Sequence, residues 1–221
     1  MQGRPAAKRL IRARANGAGM DLQKINVKLF VENPGAVSPE AFVLLFNAWI
    51  QAANGEYYDI ADYAHVEAGP GILLIAHEAN IGMDNTGNRW GLLYNRKQPL
   101  PGNNGEKLRR VLNAALENCR RIEEASSLDG KVKFRADEAL LLINDRLSAP
   151  NTEATFNALK TDFEATARAL YGSADFVLER ESEDPRKRFG ARIKAAGCFN
   201  VNTLLANLDK ANGNGNRRPV S

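Results

Sequence analysis

The sequence predicts an α+β domain, a curved and mainly antiparallel sheet of about seven or eight strands with three amphipathic helices on one face. Three observations lead there. Several stretches alternate apolar and polar residues at the period of a strand with one buried face. The tight-turn signals Gly69-Pro70-Gly71 and Asn85-Thr86-Gly87 separate adjacent extended runs, and a short connection forces neighbouring strands to run antiparallel. Apolar stripes at helical spacing recur between the strand groups, and each needs a sheet surface to cover. Two or three diverged helix-plus-hairpin units would account for that recurrence.

In chain order, residues 24 to 31 place Ile25, Val27, Leu29 and Val31 opposite Asn26, Lys28 and Phe30, a first strand. Ser38-Pro39-Glu40 offers a cap residue, a proline at the first helical position and an acid at the positive end of the dipole. The stripe Phe42, Leu45, Phe46, Trp49 and Ala53 follows as a first helix. Residues 57 to 66, 72 to 81 and 90 to 96 read as a three-stranded meander. Leu108, Val111, Leu112, Ala115, Cys119 and Ile122 form the stripe of a second helix. Residues 131 to 135 and 139 to 147 read as two strands around a turn at Ala136-Asp137-Glu138. A third helix carries Phe156, Leu159, Phe163, Ala167 and Leu170, capped by Asn151 or Thr152 and stopped by Gly172. Residues 176 to 181 and 189 to 194 form the last hairpin, turning near Asp184-Pro185.

Charge is unevenly placed. Residues 1 to 19 carry five basic residues and no acidic one, and residues 198 to 221 carry three basic residues against Asp209. Removing +5 and +2 from the net +4 leaves −3 for residues 20 to 197. The expected organisation is therefore a disordered basic extension over 1 to 19, with Met20 as an alternative start, one domain over 20 to 197, and a flexible tail over 198 to 221. An acidic core argues against nucleic-acid binding by the domain, and leaves the basic tails as the route for any such contact. Two cysteines make neither a disulfide framework nor a metal motif, and the longest apolar runs fall short of a membrane span. A cytoplasmic chain without a membrane partner is the expectation.

Candidate chemistry is sparse. The two histidines, His65 and His77, lie in one predicted hairpin with Asp59, Asp62 and Glu78, and a turn centred on Pro70 would set Tyr63 opposite His77 and Asp62 opposite Glu78. Imidazoles and carboxylates so placed could hold a metal or exchange protons. Trp49, Tyr58, Tyr63, Trp90 and Tyr94 could wall a ligand pocket. Arg186, Lys187, Arg188 and Arg192 make a basic patch fit for phosphates or an acidic partner. Asp84-Asn85-Thr86-Gly87-Asn88 is rich in oxygen but lacks the bidentate glutamate of a calcium loop, so it reads as a turn. No nucleophile elbow, phosphate loop, dinucleotide fingerprint or zinc pattern occurs, so no cofactor is expected. The resulting expectation is a non-enzymatic module that binds a small molecule or a protein, with homodimerisation open. The alternatives are an acid/base or metal-assisted enzyme built on the histidine hairpin, and tail-mediated nucleic-acid association.

Overall fold

The computed structural model describes residues 20 to 214, with side chains to residue 211. The expected tail at 1 to 19 lies outside the described residues. Eight strands form one antiparallel sheet in the order β2-β3-β4-β5-β1-β6-β8-β7. In chain order the elements are β1 (Ile25–Val31), α1 (Pro39–Ala52), β2 (Tyr57–Tyr63), β3 (Gly71–Ala76), β4 (Ala79–Asp84), β5 (Gly91–Arg96), α2 (Asn104–Glu123), β6 (Phe134–Ile143), α3 (Glu153–Tyr171), β7 (Phe176–Arg180), β8 (Phe189–Ala195) and α4 (Val201–Asn214). The class is α+β, as the residue pattern predicts.

The topology repeats about the central antiparallel pair β1 and β6. Each of these strands leads into a helix, then a meander that works inward from the sheet edge, then a second helix. The meander's last strand, β5 or β8, closes against the strand that opened the unit. The first unit has four meander strands and the second has two.

Sequence alternation divides the two sheet faces. Ile25, Val27 and Leu29 join the single apolar core with Leu141, Ile143, Phe189 and the inner faces of α1 to α4. Phe46, Phe163 and Phe189 are fully buried there, and Phe163 stacks on Phe189 at 6.1 Å. Asn26, Lys28 and Phe30, at the intervening positions, look the other way onto the face that carries no helix among the described residues.

Helix boundaries follow local chemistry. Asn103 and Glu106 form a reciprocal capping box at α2, and Thr152 caps α3 by accepting from the Thr155 amide at 3.2 Å. At α1, Ser38 stands at the cap position but makes no cap bond to the backbone. Its hydroxyl bonds the Glu40 carboxylate and helps hold that acid below the usual carboxylate range.

Three expectations need correction. The segment 198 to 221 is not a flexible tail throughout, because α4 inserts Val201, Leu204 and Leu208 into the core at 0 to 2% exposure and contacts α2 and α3. The stretch 131 to 147 holds one strand, not two. Residues 134 to 143 form an unbroken β6 in which Phe134 and Ala136, then Ala139, Leu141 and Ile143, join the core, the alternation changing phase where the register against β1 shifts between Leu29 and Val31. The stretch 72 to 81 holds two strands, not one, because the chain reverses at His77-Glu78 and Ala79 pairs back toward Arg96. These last two errors offset each other in the strand count.

Candidate functional site

Between the helix-free face of the sheet and the β7–β8 loop lies a groove of about 720 Å³. Its floor is a cross-strand row in which Lys28 of β1 is flanked by Leu93 of β5 and Leu140 of β6, with Arg192 of β8 next to Leu140. The loop between β7 and β8 contributes Arg186, Lys187 and Arg188 to the lining, and Arg146 lines the groove as well. That loop is held in place: buried Asn151 donates from Nδ2 to the carbonyls of Ser182 and Asp184, both at 2.8 Å. Gly190 permits its close approach, since a Cβ there would lie 2.8 Å from a Leu142 methyl and 3.0 Å from the Glu181 Cβ.

Seven of the groove's lining residues are cationic and two are acidic, so the cavity is positive although the domain as a whole is not. Several of the cations are neutralised by neighbours. Lys28 donates to Asp84 at 2.5 Å with both side chains 4% exposed, and Asp84 also accepts from the Thr86 amide and hydroxyl at 3.1 and 2.8 Å. Burial lowers the Lys28 ammonium below its ordinary range despite the opposing pull of Asp84, and Arg89 adds to the lowering. Arg89 grips Glu138 through two bonds of 2.8 and 2.9 Å and lies 3.6 Å over the Phe30 ring, while Arg192 bridges Glu138 and Glu181. Burial would raise Glu138, but the two guanidiniums overcome it and hold the carboxyl below its usual range. Arg186 pairs with Asp184.

Arg146, Lys187 and Arg188 make no ion pair with any described residue. Burial and the neighbouring Arg146 lower the Arg188 guanidinium, with only Asp84 opposing. One row along β1 from Lys28, Asn26 is fully buried and both polar atoms of its carboxamide lack a hydrogen-bond partner among the described residues. Its sheet neighbours are Asn95 and Leu142.

The structure gathers the expected basic patch: Arg186, Lys187, Arg188 and Arg192 all line this groove. It does not gather the histidines. The hairpin register pairs Tyr63 with Gly71 and Asp62 with Ile72, not with His77 and Glu78. His65 therefore lies beyond the start of β3 and His77 beyond its end, roughly 20 Å apart at the rise of an extended strand. Both are exposed. Asp62 accepts from the Ala64 amide, Asp59 from the Ile60 amide, and Glu78 pairs with Arg96. Among the described residues, no three of His, Cys, Asp and Glu converge to hold a metal.

The aromatic wall is likewise dispersed. Trp49 stacks beneath Arg121 at 3.8 Å, Trp90 lines a separate cavity of about 150 Å³ with Phe42, and Tyr94 lines one of about 390 Å³ under α2. Tyr58 and Tyr63 are 57% and 42% exposed on the edge strand β2. Asp84, expected in a plain turn, is instead the last residue of β4, paired with Gly91 and followed by a 3₁₀ turn at Thr86–Asn88, and its carboxylate serves Lys28.

Sequence reasoning passed over Lys28, Phe30, Asp84, Arg89, Glu138 and Arg146. One signal was present: Phe30 and Lys28 sit on the polar side of the β1 alternation, where a large aromatic is out of place unless something covers it.

No protein-family model, no curated protein and no solved structure matches the chain.

Proposed function

We propose that this chain is a binding module for a small anionic molecule, seated in the groove between the sheet's helix-free face and the β7–β8 loop. The observation that carries the reading is the convergence of three cations without ion-pair partners among the described residues, Arg146, Lys187 and Arg188, on a cavity whose other cations are fixed by Asp84, Glu138, Glu181 and Asp184. Guanidiniums and ammoniums left unneutralised around a concave site supply charge-assisted hydrogen bonds to phosphate or carboxylate oxygens. The size is that of a pocket for one small molecule. An enzyme built on the histidine hairpin is not supported, because the two imidazoles lie at opposite ends of a strand.

The test is thermal unfolding of the full chain with inorganic pyrophosphate as the probe. A ligand that binds only the folded state stabilises it by about 2.7 kcal/mol at a hundred times its dissociation constant. Replacing Arg146, Lys187 and Arg188 together by alanine should abolish that gain while leaving the unliganded melting temperature nearly unchanged, since none of the three holds an ion pair. Stabilisation that survives the triple replacement would place the anion elsewhere and refute the reading.

A further inference from the structure

We infer that Lys28 is a carbonyl-capturing residue, and that the groove takes anionic aldehydes or ketones whose carbonyl carbon forms an imine with its ε-amine. The inference rests on the anion-binding reading and specifies the ligand's reactive group.

Lys28 lies on the floor of the cavity, in the same cross-strand row as Leu93 and Leu140. Among the described residues, the atoms hydrogen-bonded to its Nζ are an Asp84 carboxylate oxygen at 2.5 Å and the Thr86 carbonyl at 3.2 Å. A lysine needed only to neutralise a ligand would gain by projecting into solvent at the rim, as Lys187 does. Lys28 is instead 3% exposed on a floor made by two leucines and the Phe30 ring, 5.7 Å from Nζ. Amines become nucleophilic when they are desolvated or set beside other cations, because both effects favour the neutral form. Both conditions hold here, and burial and Arg89 move the ammonium in that direction.

Asp84 completes the chemistry by accepting the ammonium proton through the hydrogen bond already in place. The freed amine adds its lone pair to the carbonyl carbon, the carbonyl π electrons move to oxygen, and one proton passes from the nitrogen to that oxygen to give the carbinolamine hydroxyl. Asp84 returns its proton to that hydroxyl, the carbon–oxygen bond breaks, and one water leaves. The sum is ammonium plus carbonyl going to protonated imine plus water, with no oxidant, reductant or net proton required. Arg146, Lys187 and Arg188 hold the anionic end meanwhile.

The experiment uses the full chain with pyridoxal 5′-phosphate, which carries an aldehyde and a phosphate, followed by sodium borohydride to fix any imine, then peptide mapping by mass. Label on Lys28 at about tenfold or more over exposed lysines such as Lys97 and Lys131 is expected, because a held phosphate raises the local aldehyde concentration. Excess pyrophosphate should suppress it. Lys28→Arg keeps the charge beside Asp84, and should keep stabilisation by pyrophosphate while losing the adduct. If that variant does not fold, the wild-type map decides alone. Label concentrated on Lys187, or spread evenly over the exposed lysines, overturns the inference while leaving the anion site standing. Label on Lys28 that pyrophosphate does not suppress overturns the anion reading instead.

Discussion

Replacing Asp84 by asparagine removes one charge and almost no volume from the most enclosed ion pair in the described chain. Lys28 and Asp84 are each 4% exposed; asparagine can keep its amide oxygen at the Oδ1 position, where the Thr86 amide donates, while the Thr86 hydroxyl, now donating to Oδ2, can turn to accept from the new amide nitrogen. The change therefore isolates the cost of an ammonium left without its counter-charge in a dry site, about 3–5 kcal/mol. At about 2–4 °C per kcal/mol for a domain of this size, the melting temperature should fall by roughly 6–20 °C. The deficit also has a pH signature. Lys28 titrates below its unfolded value already, so its burial penalty is fully present below the folded pKa and is relieved as pH rises toward the unfolded one. Without Asp84 the folded value drops further, and the gap between variant and parent should narrow as pH rises from neutral toward 10. Urea unfolding at three pH values reads both quantities. A loss under 1 kcal/mol, independent of pH, would mean that the pair is hydrated like a surface salt bridge and that the groove floor is not a low-dielectric site.

Glu138→Gln should destabilise by about 2 kcal/mol at pH 7, because Arg89 and Arg192 lose a shared carboxylate while remaining partly hydrated. Since those arginines hold its pKa below the unfolded value, the parent's advantage should vanish as pH falls through the acid range, which urea titration at pH 7 and pH 3 would detect. A chain ended at residue 197 should lose cooperative unfolding, because it strips Val201, Leu204 and Leu208 from the core at about 2–5 kcal/mol for each such side chain; a sharp, parent-like melt would contradict the packing of α4. Gly71→Ala should cost at least about 2 kcal/mol, since its φ of +63° disfavours any side chain and a Cβ would sit 2.0 Å from the Met83 carbonyl oxygen. In a thiol titration of the native chain, exposed Cys198 should react and Cys119 should not, because burial pushes the Cys119 thiol well up; both should react in denaturant.

Local signals sufficed wherever one residue pattern maps onto one local structure. The alternation of Ile25, Val27 and Leu29 with Asn26, Lys28 and Phe30 set the two faces of β1, and the stripe from Leu108 to Ile122 set the buried face of α2. Capping chemistry at Thr152 and the break at Gly172 bounded α3. Patterns failed where apolar content ran through a reversal. His77-Glu78 turns the chain without glycine or proline, and the pairing of β3 with β4 supplies the hydrogen bonds that stabilise such a turn. The weak helical stripe of Val201, Leu204, Leu205 and Leu208 became a core helix because α2 and α3 offer it an apolar surface, which no local propensity encodes.

By itself the sequence determined the class of the domain, most of its elements and the basic triplet Arg186-Lys187-Arg188. Only the tertiary structure decided that this triplet faces Lys28 and Arg146 across a groove, and that the two histidines lie apart. Those facts depend on strand register and sheet order, and register is fixed by pairing between residues distant in the chain. A shift of six in the sum of paired residue numbers, from about 140 to 134, replaced the expected His77 partner of Tyr63 with Gly71 and dissolved one candidate site. The pairing of β1 with β5 and β6 assembled the other.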